Sequence, residues 1–191
     1  MSEKDIFSRI REHMKSAPVD VEAVAKSLGI EVDYAFLDAD ISGQIERGPD
    51  GRYRIAVNAA DSPSRQRFTI AHELGHYLYH RSLIEDGVDD DRAYRSTSAG
   101  MYHNTKIGPH QETEANRFAA NLLMPTHLIK SLKARGVVTT EALAKALGVS
   151  VAAMRVRQGK APYPGAVEAE GEEDKDKEDV LLQELGEPTF R

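Results

Sequence analysis

The chain of 191 residues contains no cysteine. Disulfides, thiolate metal ligands and a cysteine nucleophile are thereby excluded, so any metal must be held by histidine and carboxylate. No apolar run approaches the roughly 20 residues that a membrane-spanning helix needs. The opening residues Met1-Ser2-Glu3-Lys4-Asp5 lack the apolar stretch of a secretory signal, and a cytoplasmic protein without a membrane anchor is the expectation. Lysine and arginine are not clustered as counterion release on nucleic acid would require. The net charge of −6 is uneven: from Ala166 to Arg191 ten acids face three bases, a net of −7, which leaves the rest of the chain at +1. What is present is a hydrophobic fraction of 40%, enough to build the core of one medium domain with appendages.

Apolar periodicity divides the chain. Ile6, Phe7, Ile10 and Met14 have helical spacing up to Pro18, and Val21, Val24, Ala25 and Leu28 form a second apolar face stopped by Gly29. Ile30, Val32, Tyr34 and Phe36 alternate as a half-buried strand does. Ile41–Ile45 and Tyr53–Val57 make two more strands, joined as a hairpin by the turn Gly48-Pro49-Asp50-Gly51. Ser62-Pro63-Ser64 opens a helix with either serine as its cap. A small antiparallel sheet thus leads into the most informative segment of the chain. Residues 81–111 are polar and read as a long loop with one strand near Met101 and Tyr102. Helical spacing resumes from Glu112 to Met124, and Pro125 ends it. Two short helices joined through Gly148 over 138–157 have helix-turn-helix form, although only Arg155, Arg157 and Lys160 supply charge there. The run Glu168–Asp179 has no apolar face and is expected to be disordered.

The informative segment is His72-Glu73-Leu74-Gly75-His76, an HExxH motif. Residues four apart stand one above the other on a helix, so His72 and His76 can aim two imidazole nitrogens at one point, as zinc peptidases require. Glu73 is placed to take a proton from water bound on the open side of the metal. Phe68, Ile70, Ala71, Leu74 and Leu78 supply the apolar flanks of a buried helix. Gly75 costs about 1 kcal/mol relative to alanine in a helix, which calls for close approach of a strand, the metal or a substrate backbone at that position.

A catalytic zinc takes a third protein ligand, for which Glu112, Glu114, His80, His103 and His110 are candidates. His80 shares the face of His72 and His76, but eight residues of helix rise about 12 Å, too far for one ion. A supporting or helix-end role suits it better. Glu112 and Glu114 are two apart, so only one can face the metal. Glu112 shares the buried face of Ala115, Phe118, Ala119 and Leu122, and Glu114 lies four before Phe118, so both stay open on spacing alone. Asn116, four after Glu112, is placed to hold a ligand by its far side.

The run Arg67 to His80, followed by Glu112-x-x-Ala115-Asn116-x-Phe118-Ala119-Ala120-x-Leu122-Leu123-Met124-Pro125, resembles the ImmA/IrrE family of metallopeptidases, with Ile41-Ser42-Gly43 and Ile55–Asn58 resembling its lead-in strands. The likeness covers about 18–157 of the chain. It implies a zincin-like α+β fold, one zinc ion held by His72, His76 and Glu112, and Glu73 as catalytic base. It further implies an endopeptidase acting on a helix-turn-helix repressor of mobile-element or stress-response genes, with the trailing helices not required to bind DNA. The expected organisation is a metallopeptidase domain over 1–137, helix-turn-helix-like helices over 138–165 and an acidic tail over 166–191. The alternative function is a non-catalytic regulatory module that holds a repressor, a toxin–antitoxin partner or DNA. An intact Glu73 argues against it, because nothing structural demands a carboxylate there. The sequence sets no oligomeric state.

Overall fold

The computed structural model describes residues 3–85, 96–97 and 108–162. The expected strand near Met101 and Tyr102 and the acidic tail from Ala166 lie outside these residues.

Helices α1 (Glu3–His13) and α2 (Val21–Ser27) bury the apolar positions that their spacing marks. Asp20 caps α2 by accepting a hydrogen bond from the Ala23 N–H at 2.9 Å. Strands β1 (Glu31–Ala35), β2 (Ile41–Arg47) and β3 (Tyr53–Asn58) follow. β2 and β3 form the expected hairpin, antiparallel with Arg47 opposite Tyr53. Asp50 steadies the turn by accepting from the Arg52 N–H at 3.1 Å. Buried Asn58 ties the end of β3 to the start of β2 through Nδ2, which donates to the Ile41 carbonyl at 2.8 Å.

The sheet as a whole is not antiparallel. β1 pairs with β3 in parallel, Glu31 opposite Arg54 through Ala35 opposite Asn58, and the order is β1-β3-β2-β4, with β4 reduced to Ser96–Thr97. The return strand of the hairpin inserts between β1 and β2, so β1 meets the strand running its own way. β1 is correspondingly an outer strand and not half-buried: Tyr34 is 47% exposed and Phe36, just past it, 88%. Alternation along one strand is blind to which neighbour it finds.

Helix α3 (Pro63–Tyr79) carries the HExxH motif. Ser62 is its cap, accepting from the Arg65 N–H, with Pro63 in the first turn. Nine consecutive residues, Thr69 to Tyr77, are buried, because α3 lies between the sheet and a second long helix. At Gly43 of β2 an added Cβ would stand 2.3 Å from Thr69 Cγ2 and 2.8 Å from the Ala56 carbonyl oxygen, so only glycine lets the strand pass so close to the helix. Residues 81–85 are not loop but a short helix, α4 (Arg81–Glu85).

The second long helix, α5 (Pro109–Leu123), begins three residues before Glu112, with Pro109 in its first turn and the Gln111 side chain accepting from the Gly108 N–H at 3.0 Å. The sequence reading assigned nothing to α6 (Thr126–Ala134). Helices α7 (Thr140–Leu147) and α8 (Val151–Arg157) are joined through Gly148. Leu143, Leu147 and Met154 belong to the same buried cluster as Ile10, Ile55, Leu74 and Phe118. Among the described residues no helix is long and apolar enough to cross a membrane.

Candidate metal centre

α3 and α5 face each other across the centre of the molecule. At Gly75 an added Cβ would lie 2.9 Å from Ala115 Cα and 3.2 Å from the Ala115 carbonyl oxygen. The glycine therefore serves the approach of α5, not of a strand, metal or substrate. One turn along both helices, the polar residues meet. His72 Nε2 is 2.9 Å from His76 Nε2. Glu112 reaches both rings, with Oε2 3.1 Å from His72 Nε2 and Oε1 3.3 Å from His76 Nε2. All three residues are buried, His76 completely. Glu112, not Glu114, is the carboxylate brought to the imidazoles, because it shares the α5 face of Ala115 and Phe118. Glu114 projects to the rim, 42% exposed, and meets His80 and His110. Of the loop residues considered as oxyanion donors, His110 is exposed beside Glu114, while Arg95, Tyr102 and His103 lie outside the described residues.

The rings are held from behind. His72 Nδ1 is 3.0 Å from Asn116 Oδ1 and His76 Nδ1 is 3.1 Å from His80 Nδ1, which leaves both Nε2 atoms for the centre. Glu73 is fully buried, and both its carboxylate oxygens are without a hydrogen-bond partner among the described residues.

Electrostatics follow from this burial. Burial pushes the Glu73 carboxyl up to about 8, with the Glu112 charge adding and His72 opposing. Burial drives His76 down to about 4 despite the Glu112 hydrogen bond. At Glu112 burial works against ionisation, yet hydrogen bonds from His72 and His76 prevail and hold it at about 2. At His72 burial also opposes the charged form, but Glu112 and the Glu73 charge outweigh it and raise the pKa. The arrangement is an ionised carboxylate and a neutral His76 imidazole around a point, beside the His72 ring, which the neighbouring carboxylates bias towards its charged form.

These donors fit a small divalent cation. Bonds of roughly 2.0–2.1 Å at tetrahedral angles separate ligand atoms by about 3.3 Å, and the observed separations run from 2.9 to 3.3 Å. Among the described residues, the histidine and carboxylate groups that could hold a metal are these three, the number a site with an open position uses.

The model of the IrrE N-terminal-like domain, a peptidase family, matches residues 25–158. The chain belongs to this family. Curated relatives include the radiation response metalloproteases IrrE of Deinococcus radiodurans, 37% identical over 91 residues, and of Deinococcus deserti, 37% over 93 residues. Each match takes in 48% of this chain but only 25% and 29% of the relative, so the chain spans well under half the length of these relatives. A solved structure, a Mycobacterium tuberculosis transcriptional regulator, superposes on 85% of this chain and 47% of its own with a TM-score of 0.52 at 18% identity. That likeness is one of fold alone. Sequence reasoning missed Arg67, whose guanidinium donates to the carbonyls of Val19 at 2.7 Å and Gly148 at 3.1 Å. Partners 48 and 81 residues away leave no local signal.

Proposed function

We propose that this chain is a zinc endopeptidase, with His72, His76 and Glu112 holding one zinc ion and Glu73 acting as general base. The observation that carries the reading is the convergence of those three buried donors within 4.8 Å of one another in a member of a peptidase family. Zinc bound there supplies a Lewis acid that polarises a peptide carbonyl and makes water more acidic. Glu73 accepts the proton of the attacking water and hands it to the leaving amide nitrogen. Its lack of a hydrogen-bond partner suits that role, since nothing competes for its lone pairs. A cation among its neighbours favours the ionised form that a base needs, against the burial that opposes it.

The substrate class we infer from the family resemblance is a helix-turn-helix repressor, which places the protein in transcriptional control, as in a stress response. Direct DNA binding is not part of the reading. Of the few cations near α8, Arg155 donates to the Ala161 carbonyl at 2.7 Å, and Arg157 to the Met124 carbonyl at 3.3 Å and to Thr126 Oγ1 at 3.1 Å. Their guanidinium groups are engaged within the protein.

Metal content after gel filtration, combined with cleavage of a helix-turn-helix repressor encoded beside the gene, tests the reading. His72→Ala, His76→Ala and Glu112→Ala are expected to lose the ion, and Glu114→Ala to retain it at stoichiometric protein concentration. Glu73→Gln is expected to retain zinc and to cut about 10²–10⁴-fold more slowly, the contribution of a positioned base. Zinc lost from Glu114→Ala but kept by Glu112→Ala, or equal cutting by Glu73→Gln, would refute the assignments.

A further inference from the structure

Behind His76 the side chains continue in a line that the three converging donors do not require. His76 Nδ1 faces His80 Nδ1 at 3.1 Å, His80 Nε2 faces Glu114 Oε2 at 3.1 Å, and the same Glu114 oxygen stands 3.2 Å from His110 Nδ1 at the surface. His80 is buried, and Glu114 is half-exposed. We infer that His80 and Glu114 are positioning residues that hold His76 in its Nδ1–H tautomer and thereby aim its Nε2 lone pair at the centre formed with His72 and Glu112. This rests on the zinc reading above only for its consequence, not for the hydrogen-bond pattern itself.

The argument is one of donors and acceptors. A neutral imidazole has one N–H and one lone pair, and which nitrogen carries which is set by what the other meets. For His76 Nε2 to offer a lone pair to a cation, the proton must sit on Nδ1 and be donated to His80 Nδ1. His80 Nδ1 can accept only if its own proton sits on Nε2, and that N–H then needs an acceptor. A carboxylate is acceptor-only, so with both rings neutral Glu114 admits one orientation of the whole line: His76 Nδ1–H to His80 Nδ1, and His80 Nε2–H to Glu114 Oε2. The reverse orientation would put an N–H on His76 Nε2, pointing at the place where a cation would bind. The histidine ring at His80 thus relays the constraint from a half-exposed carboxylate on α5 to a buried ring on α3.

The geometry explains why a histidine at the end of α3 is useful though it cannot reach the centre. It also gives Glu114, two residues from Glu112, a task of its own. Acceptors behind a metal-binding histidine tune affinity by about 10–100-fold when removed.

Two measurements decide. In the metal-free protein labelled with ¹⁵N-histidine, long-range ¹⁵N–¹H correlation spectra report each tautomer. Expected are protonated Nδ1 on His76 and protonated Nε2 on His80, and a proton on His80 Nδ1 would overturn the inference whether or not zinc binds. The second is the zinc dissociation constant by competition with a chelator. His80→Leu keeps bulk but no acceptor, and Glu114→Ala removes the carboxylate; both are expected to weaken zinc binding about 10–100-fold. His80→Asn, whose Oδ1 lies near the place of the imidazole Nδ1, is expected to stay within about threefold of the parent, well inside that range. A role in packing alone predicts leucine at least as good as asparagine, and that ranking would refute the relay. Should His80→Leu not fold, Glu114→Ala at its half-exposed position carries the same decision. Absence of zinc binding by the unsubstituted protein would refute the zinc reading, and the spectra would still judge the relay.

Discussion

Glu73 has a cost that its position makes calculable in sign. In the metal-free protein its carboxyl is raised to about 8 from an ordinary 4.5, so between those values it is protonated when folded and ionised when unfolded. Unfolding then releases a proton, and stability falls as pH rises across that window. His76 contributes the opposite slope between about 4 and 6.5, where its folded form stays neutral. Glu73→Gln leaves His76 in place and below pH 8 removes only the first effect, because the Glu73 charge that acts on His72 is absent while the carboxyl is protonated. We therefore expect the metal-free variant to gain stability over the parent progressively from pH 4.5 to 8, with no further change in the difference below pH 4.5. Urea unfolding of both proteins at pH 4, 6 and 8 measures it, and a difference independent of pH would contradict the burial argument. Zinc is expected to shrink the difference, since a neighbouring cation favours the carboxylate.

Between elements, the decisive contact is α3 against α5. Gly75 sits where the backbone of Ala115 passes, and the centre of His72, His76 and Glu112 lies one turn away on the same two helices. Alanine in a helix is favoured over glycine by about 1 kcal/mol, so on propensity alone Gly75→Ala would stabilise. Here the new Cβ would meet a backbone Cα at 2.9 Å, which cannot rotate aside, and overpacking of this kind costs about 1–3 kcal/mol. We expect a lower melting temperature together with weaker zinc binding, because parting the helices carries Glu112 away from the imidazoles. A melting temperature at or above the parent's would show that the helices yield without strain. The spacing of HExxH reported one half of this pairing and the Glu112–Pro125 run the other. Neither run contains the distance between them, which is why Glu112 and Glu114 stayed open until α5 was seen to present Glu112 inward.

At the scale of the molecule, Arg67 joins three distant stretches. From α3 it reaches the carbonyls of Val19, ahead of α2, and of Gly148, between α7 and α8. Hydrogen bonds from a charged donor contribute roughly 1.5–3 kcal/mol, and carbonyls stripped of a partner add a desolvation cost. Arg67→Met retains the length of the stem but no donor, and we expect a loss of about 2 kcal/mol on that basis, seen in denaturant as a lower midpoint with unchanged slope. Loss of structure confined to α7 and α8, with the zinc site intact, would show that these helices do not share the cooperativity of the core.

What the sequence determined by itself was local and periodic. A serine cap at Ser62 or Ser64, Gly48–Gly51 as a turn and the two imidazoles one helical turn apart each depend on residues within a few positions, where backbone geometry makes spacing and space equivalent. The motif itself marked Glu73, and the family likeness favoured Glu112 over Glu114 because the two runs are distinctive together. Only the tertiary structure decided what depends on separations along the chain that no period encodes. β1 runs parallel to β3 because the hairpin's return strand inserts beside it, Gly75 yields to Ala115, and Glu114 turns to His80 instead of to the centre. In each case the outcome is set by which surface arrives from elsewhere, and close packing leaves room for one arrangement.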